Sequence, residues 1–196
     1  MIGELEIAKK RKVAWGITGA GDKIAEFTEV MKQVKKENES LVDIHVFVSK
    51  AGETVLKFYR LEQELKESFE KVQVEINANS PFLAAWLQNR KYDFLLIAPA
   101  TSNTVAKIAS GIGDTMITNA AIMGLKAFVP IYIVPTDYEE GIVYTKLPNG
   151  KDMKLRVRKE DVEQVKKLES MDGVHVLYGP QKIPDVFREM LKQRAT

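Results

Sequence analysis

The sequence predicts an α/β fold: a doubly wound, Rossmann-like or flavodoxin-like parallel sheet with flanking helices and a C-terminal hairpin–helix elaboration. Three observations carry this. Short apolar runs alternate with stretches of helical period from Lys12 to Val134. The run Phe94–Ala98 is continuously apolar, as a central parallel strand covered on both faces requires. After Pro135 the pattern changes, and Pro148-Asn149-Gly150 separates two strand-like runs as a hairpin turn does.

Taken in order, Lys12–Thr18 reads as a buried strand, followed by Gly19-Ala20-Gly21-Asp22. Ile24, Phe27, Val30, Met31 and Val34 then recur on one helical face, ending near Lys36. Leu41–Val48 is a second strand, broken by Ser49-Lys50-Ala51-Gly52, and one helical stretch runs through Phe58 to Phe69. Val72–Ile76 is a short third strand. Pro81 opens a helix carrying Leu83, Trp86 and Leu87, since proline suits a first helical turn. Phe94–Ala98 is the fourth strand, stopped by Pro99. Helices over Thr104–Ala109 and Asp114–Met123 flank Gly111-Ile112-Gly113, with Asp114 as a helix cap, and Phe128–Val134 is the fifth strand. Hairpin strands Val143–Leu147 and Met153–Val157, a helix Lys159–Glu169, a strand Val174–Leu177 and a helix Pro184–Lys192 complete the chain. The whole reads as one domain over residues 1–196, with residues 12–134 as its core and 135–196 as an elaboration.

Composition excludes several classes of function. The 29 basic and 27 acidic residues nearly balance, so a basic face for nucleic acid is not expected. The run Lys9–Lys12 reads as a solvated collar before the first strand. With no cysteine there is no disulfide, iron–sulfur ligation or thiol nucleophile. His45 and His175, each among apolar neighbours on an expected strand, make no metal site. Met1–Ile7 carries two acids and no long apolar core, unlike a secretory signal, and no apolar run approaches the roughly 18 residues that span a bilayer. The expectation is a soluble, cytoplasmic protein. Trp15 and Trp86 read as core or interface residues, and Lys107 as a helix-face lysine.

The chemistry concentrates at the expected strand ends. Gly16-Ile17-Thr18-Gly19-Ala20-Gly21 joins a strand to a helix, where glycines serve either a plain turn or the approach of backbone amides to an anion. The spacing is not the dinucleotide G-x-G-x-x-G. The second strand ends in Ser49 rather than the acid that would hold an adenosine ribose. Thr18 and Ser49 beside a glycine turn suit a mononucleotide phosphate, though Ser49 also suits a plain cap. Ala100-Thr101-Ser102-Asn103-Thr104, at the end of the central strand, offers three hydroxyls and a carboxamide where a helix needs one cap.

Ala98-Pro99-Ala100-Thr101-Ser102-Asn103-Thr104, continuing to Gly111-Ile112-Gly113-Asp114, resembles the signature of the homo-oligomeric flavin-containing cysteine decarboxylase superfamily. That superfamily includes phosphopantothenoylcysteine decarboxylases, peptidyl-cysteine decarboxylases and flavin prenyltransferases. Gly16–Gly19 and Val46–Ala51 are similar to its other two FMN-contacting segments, in the same order. The resemblance implies FMN, with Gly19, Ala20, Gly21 and Ser49 around the phosphate. Thr101, Ser102, Asn103 and Thr104 would follow the ribityl chain and ring.

The departures narrow the activity. The decarboxylases' acid–base histidine has no counterpart in Asn77-Ala78-Asn79-Ser80-Pro81-Phe82. Their substrate-clamping segment is replaced by Pro135-Thr136-Asp137-Tyr138. Flavin prenyltransferases carry a phosphate-touching arginine where this chain has Asn119, itself a candidate FMN contact. The chain as a whole resembles the archaeal flavoprotein A branch, related to dihydromethanopterin reductases. That implies an electron-transfer oxidoreductase served by a redox partner such as ferredoxin or a small-molecule acceptor. A decarboxylase, a prenyltransferase or a subunit using FMN structurally are the alternatives, and the sequence names no catalytic residue. The superfamily implies trimers or multiples of them. The nearly all-round apolar Met116–Met123 segment is expected to meet another subunit.

Overall fold

In the computed structural model, which describes residues 10–192, a six-stranded sheet has the order β3-β2-β1-β4-β5-β8. Its strands are β1 (Arg11–Ile17), β2 (Val42–Val48), β3 (Val72–Val74), β4 (Phe94–Ala100), β5 (Ile131–Pro135) and β8 (Val174–Val176). Every neighbouring pair in it is parallel. Strands β6 (Gly141–Lys146) and β7 (Asp152–Val157) form a separate antiparallel hairpin. The readings over Met1–Ile7 and at Lys9 lie outside the described residues.

Alternation along the strands divides the core between the two faces. Val13, Trp15 and Ile17 of β1 and Phe94 and Leu96 of β4 join one cluster. It also holds α1 (Ile24–Glu37), α2 (Lys50–Phe58), α3 (Glu62–Ser68) and α8 (Ile183–Lys192), through Phe27, Leu56, Leu65 and Phe187. Ala14, Leu95 and Ile97 face the other cluster, with α4 (Leu83–Gln88), α5 (Ser102–Ala109), α6 (Met116–Lys126) and α7 (Lys159–Glu169). Trp15 is core, its indole N–H donating to the Ala98 carbonyl at 2.7 Å. Chain order reverses between β1 and β4, so the crevice at their carboxyl ends is the topological switch point where α/β sheets place ligands.

Several local expectations are corrected. Pro99 does not stop the fourth strand: β4 continues to Ala100 across a register shift against β5, the bulge at which a residue without an N–H is tolerated. The stretch from Phe58 to Phe69 is not one helix. Arg60 takes a left-handed conformation (φ 59°) and divides α2 from α3. Helix α4 begins at Leu83 rather than at Pro81, and α5 begins two residues before Thr104. Phe128 is not in β5; it turns left-handed and is 82% exposed. Asp114 is not the cap of α6. Thr115 accepts from the Thr118 amide, while Asp114 pairs with Lys107 at 2.8 Å.

The apolarity of α6 has an internal cause. The helix packs against α4, and Met116, Ile117, Ala120 and Ala121 are all buried within this one chain. Much of its apolar surface is therefore covered by this chain itself, while Ile122 and Met123 remain partly exposed. Among the described residues no helix is long and apolar enough to cross a membrane.

Candidate functional site

The β1–α1 loop is shaped by close approach. A Cβ on Gly19 would lie 2.7 Å from the Ala51 Cβ, and one on Gly21 would lie 2.8 Å from the Tyr59 ring. Glycine is needed here because the first turn of α2 and the end of that helix press on the loop. Thr18 is 3% exposed. Its hydroxyl donates to the Pro99 carbonyl at 2.8 Å and accepts from the Thr101 amide at 3.0 Å. Thr18 is thus a strut between the β1 and β4 ends. Helix α1 has no side-chain cap, its N-cap position being the left-handed Lys23; its Ile24 amide donates to the Gly21 carbonyl at 3.3 Å, so the next amides of the turn are the ones left for an acceptor.

At the end of β2, Ser49 is buried and caps α2, its Oγ accepting from the Gly52 amide at 3.0 Å. The hydroxyl hydrogen remains able to donate, so capping and anion contact are compatible. At the end of β4, Thr101 caps α5 by accepting from the Thr104 amide at 3.2 Å, and the two hydroxyls are 3.0 Å apart. Ala100 is fully buried, and its carbonyl accepts from the Thr136 amide at 3.0 Å. Ser102 donates to the Asp137 carboxylate, which the Thr136 hydroxyl also approaches at 3.1 Å. The Asn103 carboxamide is exposed at the mouth.

The ends of β1, β2 and β4 thus bring together Thr18, Gly19, Ala20, Gly21, Ser49, Ala100, Thr101, Ser102, Asn103 and Thr104. Asn119 makes its hydrogen bonds outside that set. Its Nδ2 donates to the Ala78 carbonyl and to Asn79 Oδ1, both at 3.0 Å, holding down the loop that follows β3.

Two openings adjoin the set. A cavity of about 290 Å³ lies between the start of α1, the end of β5 and the hairpin, lined by Asp22, Lys23, Phe27, Thr136, Tyr138 and Tyr144. A cleft of about 560 Å³ runs past Ser102, Asn103 and Asp137 to Arg156, Arg158 and Asp161. The Arg158 guanidinium beside Asp161 holds that carboxyl below its ordinary range. The hairpin reaches back over the loop, where the Tyr59 hydroxyl donates to the Lys146 carbonyl at 3.1 Å.

Sequence reasoning missed Glu75, Asp137 and Tyr59. Glu75 had a signal, an acid closing the short apolar run of β3, and Asp137 directly follows the fifth strand. Nothing local marks Tyr59, whose partners lie in the glycine loop and the hairpin. Among the described residues no group of histidine and acidic side chains could hold a metal ion. His45 is tied into the strand layer by Tyr92 and Asp43, each at 2.8 Å, and the His175 ring stacks on Tyr132.

Residues 3–191 match the Flavoprotein family. The chain belongs to that family. Among relatives of this flavoprotein, the uncharacterized protein MJ0730 of Methanocaldococcus jannaschii is 49% identical, over 89% of this chain and 93% of its own length. The dihydromethanopterin reductase (acceptor) of the same organism is 34% identical, over 90% of this chain and 95% of its own. Among solved structures, Burkholderia xenovorans DmrB in complex with FMN, described as a cubic protein cage for redox transfer, superposes with a TM-score of 0.80. It is 28% identical and the match covers 96% of this chain and 99% of that one. The flavoprotein fold expected from the sequence is the one found.

Proposed function

We infer that this flavoprotein binds FMN at the β1–β4 switch point and acts as an FMN-dependent oxidoreductase. The observation that carries this reading is the convergence of the glycine loop, Ser49 and Thr101–Thr104 on one crevice beside the uncapped α1 N-terminus. That set suits a phosphate and a polyhydroxyl chain: open amides and a donor hydroxyl at one end, capped hydroxyls and a carboxamide at the other. FMN supplies the redox chemistry when bound, and the chain supplies binding, orientation and access. Gly19–Gly21 and Ser49 hold the phosphate, Thr101–Thr104 line the ribityl chain and ring, and Asn119 borders the site. Thr18 and Ala100 shape its floor.

Electrons reach the site from a ferredoxin-like partner or leave it to a small acceptor. The reductase relative at 34% identity and the FMN complex of DmrB favour a dihydromethanopterin-reductase-like reaction as the second reading. A decarboxylase reading lacks support, since Asn77–Phe82 holds no group that titrates near neutral pH. The protein works in the cytoplasm as a homo-oligomer built from trimers. Residues 12–134 are its FMN core within one domain that includes 135–196.

Anaerobic mixing of the FMN-loaded protein with reduced ferredoxin, and separately with a dihydropterin after chemical reduction, tests the reading through flavin absorbance. Uptake of FAD in place of FMN, or no flavin uptake, overturns it. So does carbon dioxide release from cysteine-ended peptides with no flavin reduction by ferredoxin.

A further inference from the structure

Glu75 is a buried carboxylate, 9% exposed, at the carboxyl end of β3. Its backbone prolongs the sheet, the Glu75 amide donating to the Val48 carbonyl at 2.8 Å. Its two oxygens are used separately. Oε2 accepts from the Lys50 amide at 3.0 Å, and Oε1 accepts from the Met116 amide at 2.9 Å. Those amides open α2 and α6, helices 25 and 41 residues away from Glu75 in sequence.

Both helices carry candidate flavin residues at or near the same ends. Ser49 is the N-cap of α2, adjacent to Lys50, and Asn119 lies in the first turn of α6. A helix start has unsatisfied amides and a positive end. One carboxylate shared between two such ends fixes their separation, and with it the spacing of Ser49 from Asn119. The same contact places a negative charge immediately beside the proposed phosphate contact. An incoming phosphate is thereby steered toward the β1–α1 loop, since the first amide of α2 is already taken.

From this geometry we propose that Glu75 is a positioning residue of the flavin site: it sets the register of the α2 and α6 ends, and its charge disfavours the reduced, more anionic cofactor. This rests on the FMN reading above. The charge effect follows from Coulomb repulsion, which is only partly screened inside the protein.

The test uses FMN titration and anaerobic potentiometry on wild type, Glu75→Gln and Glu75→Asp, with far-ultraviolet circular dichroism to verify folding. Glu75→Gln keeps the shape but offers one acceptor where two are needed. It should weaken binding of oxidised FMN about tenfold. It should also tighten reduced relative to oxidised FMN about tenfold, a rise of about 30 mV for a two-electron couple. Glu75→Asp keeps the charge on a shorter stem, so affinity should fall severalfold while the potential stays near wild type. Wild-type affinity and potential in folded Glu75→Gln overturn the proposal, as does an affinity loss without a potential change. If Glu75→Gln does not fold, wild-type affinity in Glu75→Asp overturns it. Failure of the wild-type protein itself to take up FMN is a different result and strikes the functional reading.

Discussion

The Thr18 hydroxyl donates to the Pro99 carbonyl across 2.8 Å, binding the end of β1 to the end of β4 where the strand order of the sheet reverses. The same oxygen accepts from the Thr101 amide. Replacing it with valine keeps the branched shape but leaves the Thr101 amide without its acceptor, while the Pro99 carbonyl keeps only the 3.3 Å bond from the residue-18 amide. Thr18→Val should lower the unfolding free energy by about 1–3 kcal/mol in urea titrations. Thr18→Ser, which keeps the hydroxyl, should lose less.

Gly19→Ala should damage the loop through sterics alone. The added methyl meets the Ala51 Cβ at 2.7 Å, and neither atom sits on a flexible side chain. A loss of about 1–3 kcal/mol in stability is expected. FMN affinity should fall further than in Ser49→Ala, because the loop amides themselves move. Isothermal titration of both variants measures the order.

Asn103 is exposed on the first turn of α5. Asn103→Ala should therefore leave the melting temperature unchanged while weakening FMN by about 0.5–1.5 kcal/mol, roughly a 2- to 12-fold rise in Kd. Unchanged affinity in this variant places the flavin elsewhere.

Ala120, on α6, is 0% exposed. Ala120→Glu buries an unpaired charge inside one chain and should destabilise it by more than about 3 kcal/mol. The expected gel-filtration result is aggregation or loss of protein, not a clean folded monomer. Glutamate at the exposed Phe82 or Ile112 leaves the core intact and reports on subunit contacts instead.

His45 makes stability pH-dependent. Burial lowers its pKa from the ordinary 6.5, with the Asp43 carboxylate opposing and Lys71 and Lys12 reinforcing. The unfolded chain therefore takes up the proton first as pH falls. The contribution of neutral His45 is complete above 6.5 and is lost as pH drops through the lowered folded value. The urea midpoint should fall between about pH 7.5 and about pH 5.5, and more steeply than in His45→Gln. A midpoint rising over that range contradicts this assignment.

The sheet was legible because burial on both faces writes itself into β4 as an unbroken apolar run and into β1 and β2 as largely apolar ones. The three candidate segments stood out because each follows an expected strand. What escaped has physical reasons. Local helical period cannot reveal the left-handed Arg60 that splits α2 from α3. A helix apolar all round reads the same whether α4 or another subunit covers it, so the share of α6 that α4 buries was not foreseen. Glu75, Asp137 and Tyr59 act on residues far along the chain, and pairings of that kind leave no local spacing.

The placement of β1 between β2 and β4 also has a consequence for synthesis. Gly19 and Ser49 leave the ribosome early, but the strut that seats Thr18 needs Pro99 and Thr101, and the Ala100 carbonyl is secured only by Thr136. A nascent chain halted before β5 therefore holds the β1–α1 glycine loop without the Thr136 contact that secures Ala100. Flavin capture by the growing polypeptide should therefore wait until β5 has cleared the exit tunnel, and arrested chains released on either side of that length should differ sharply in bound fluorescence.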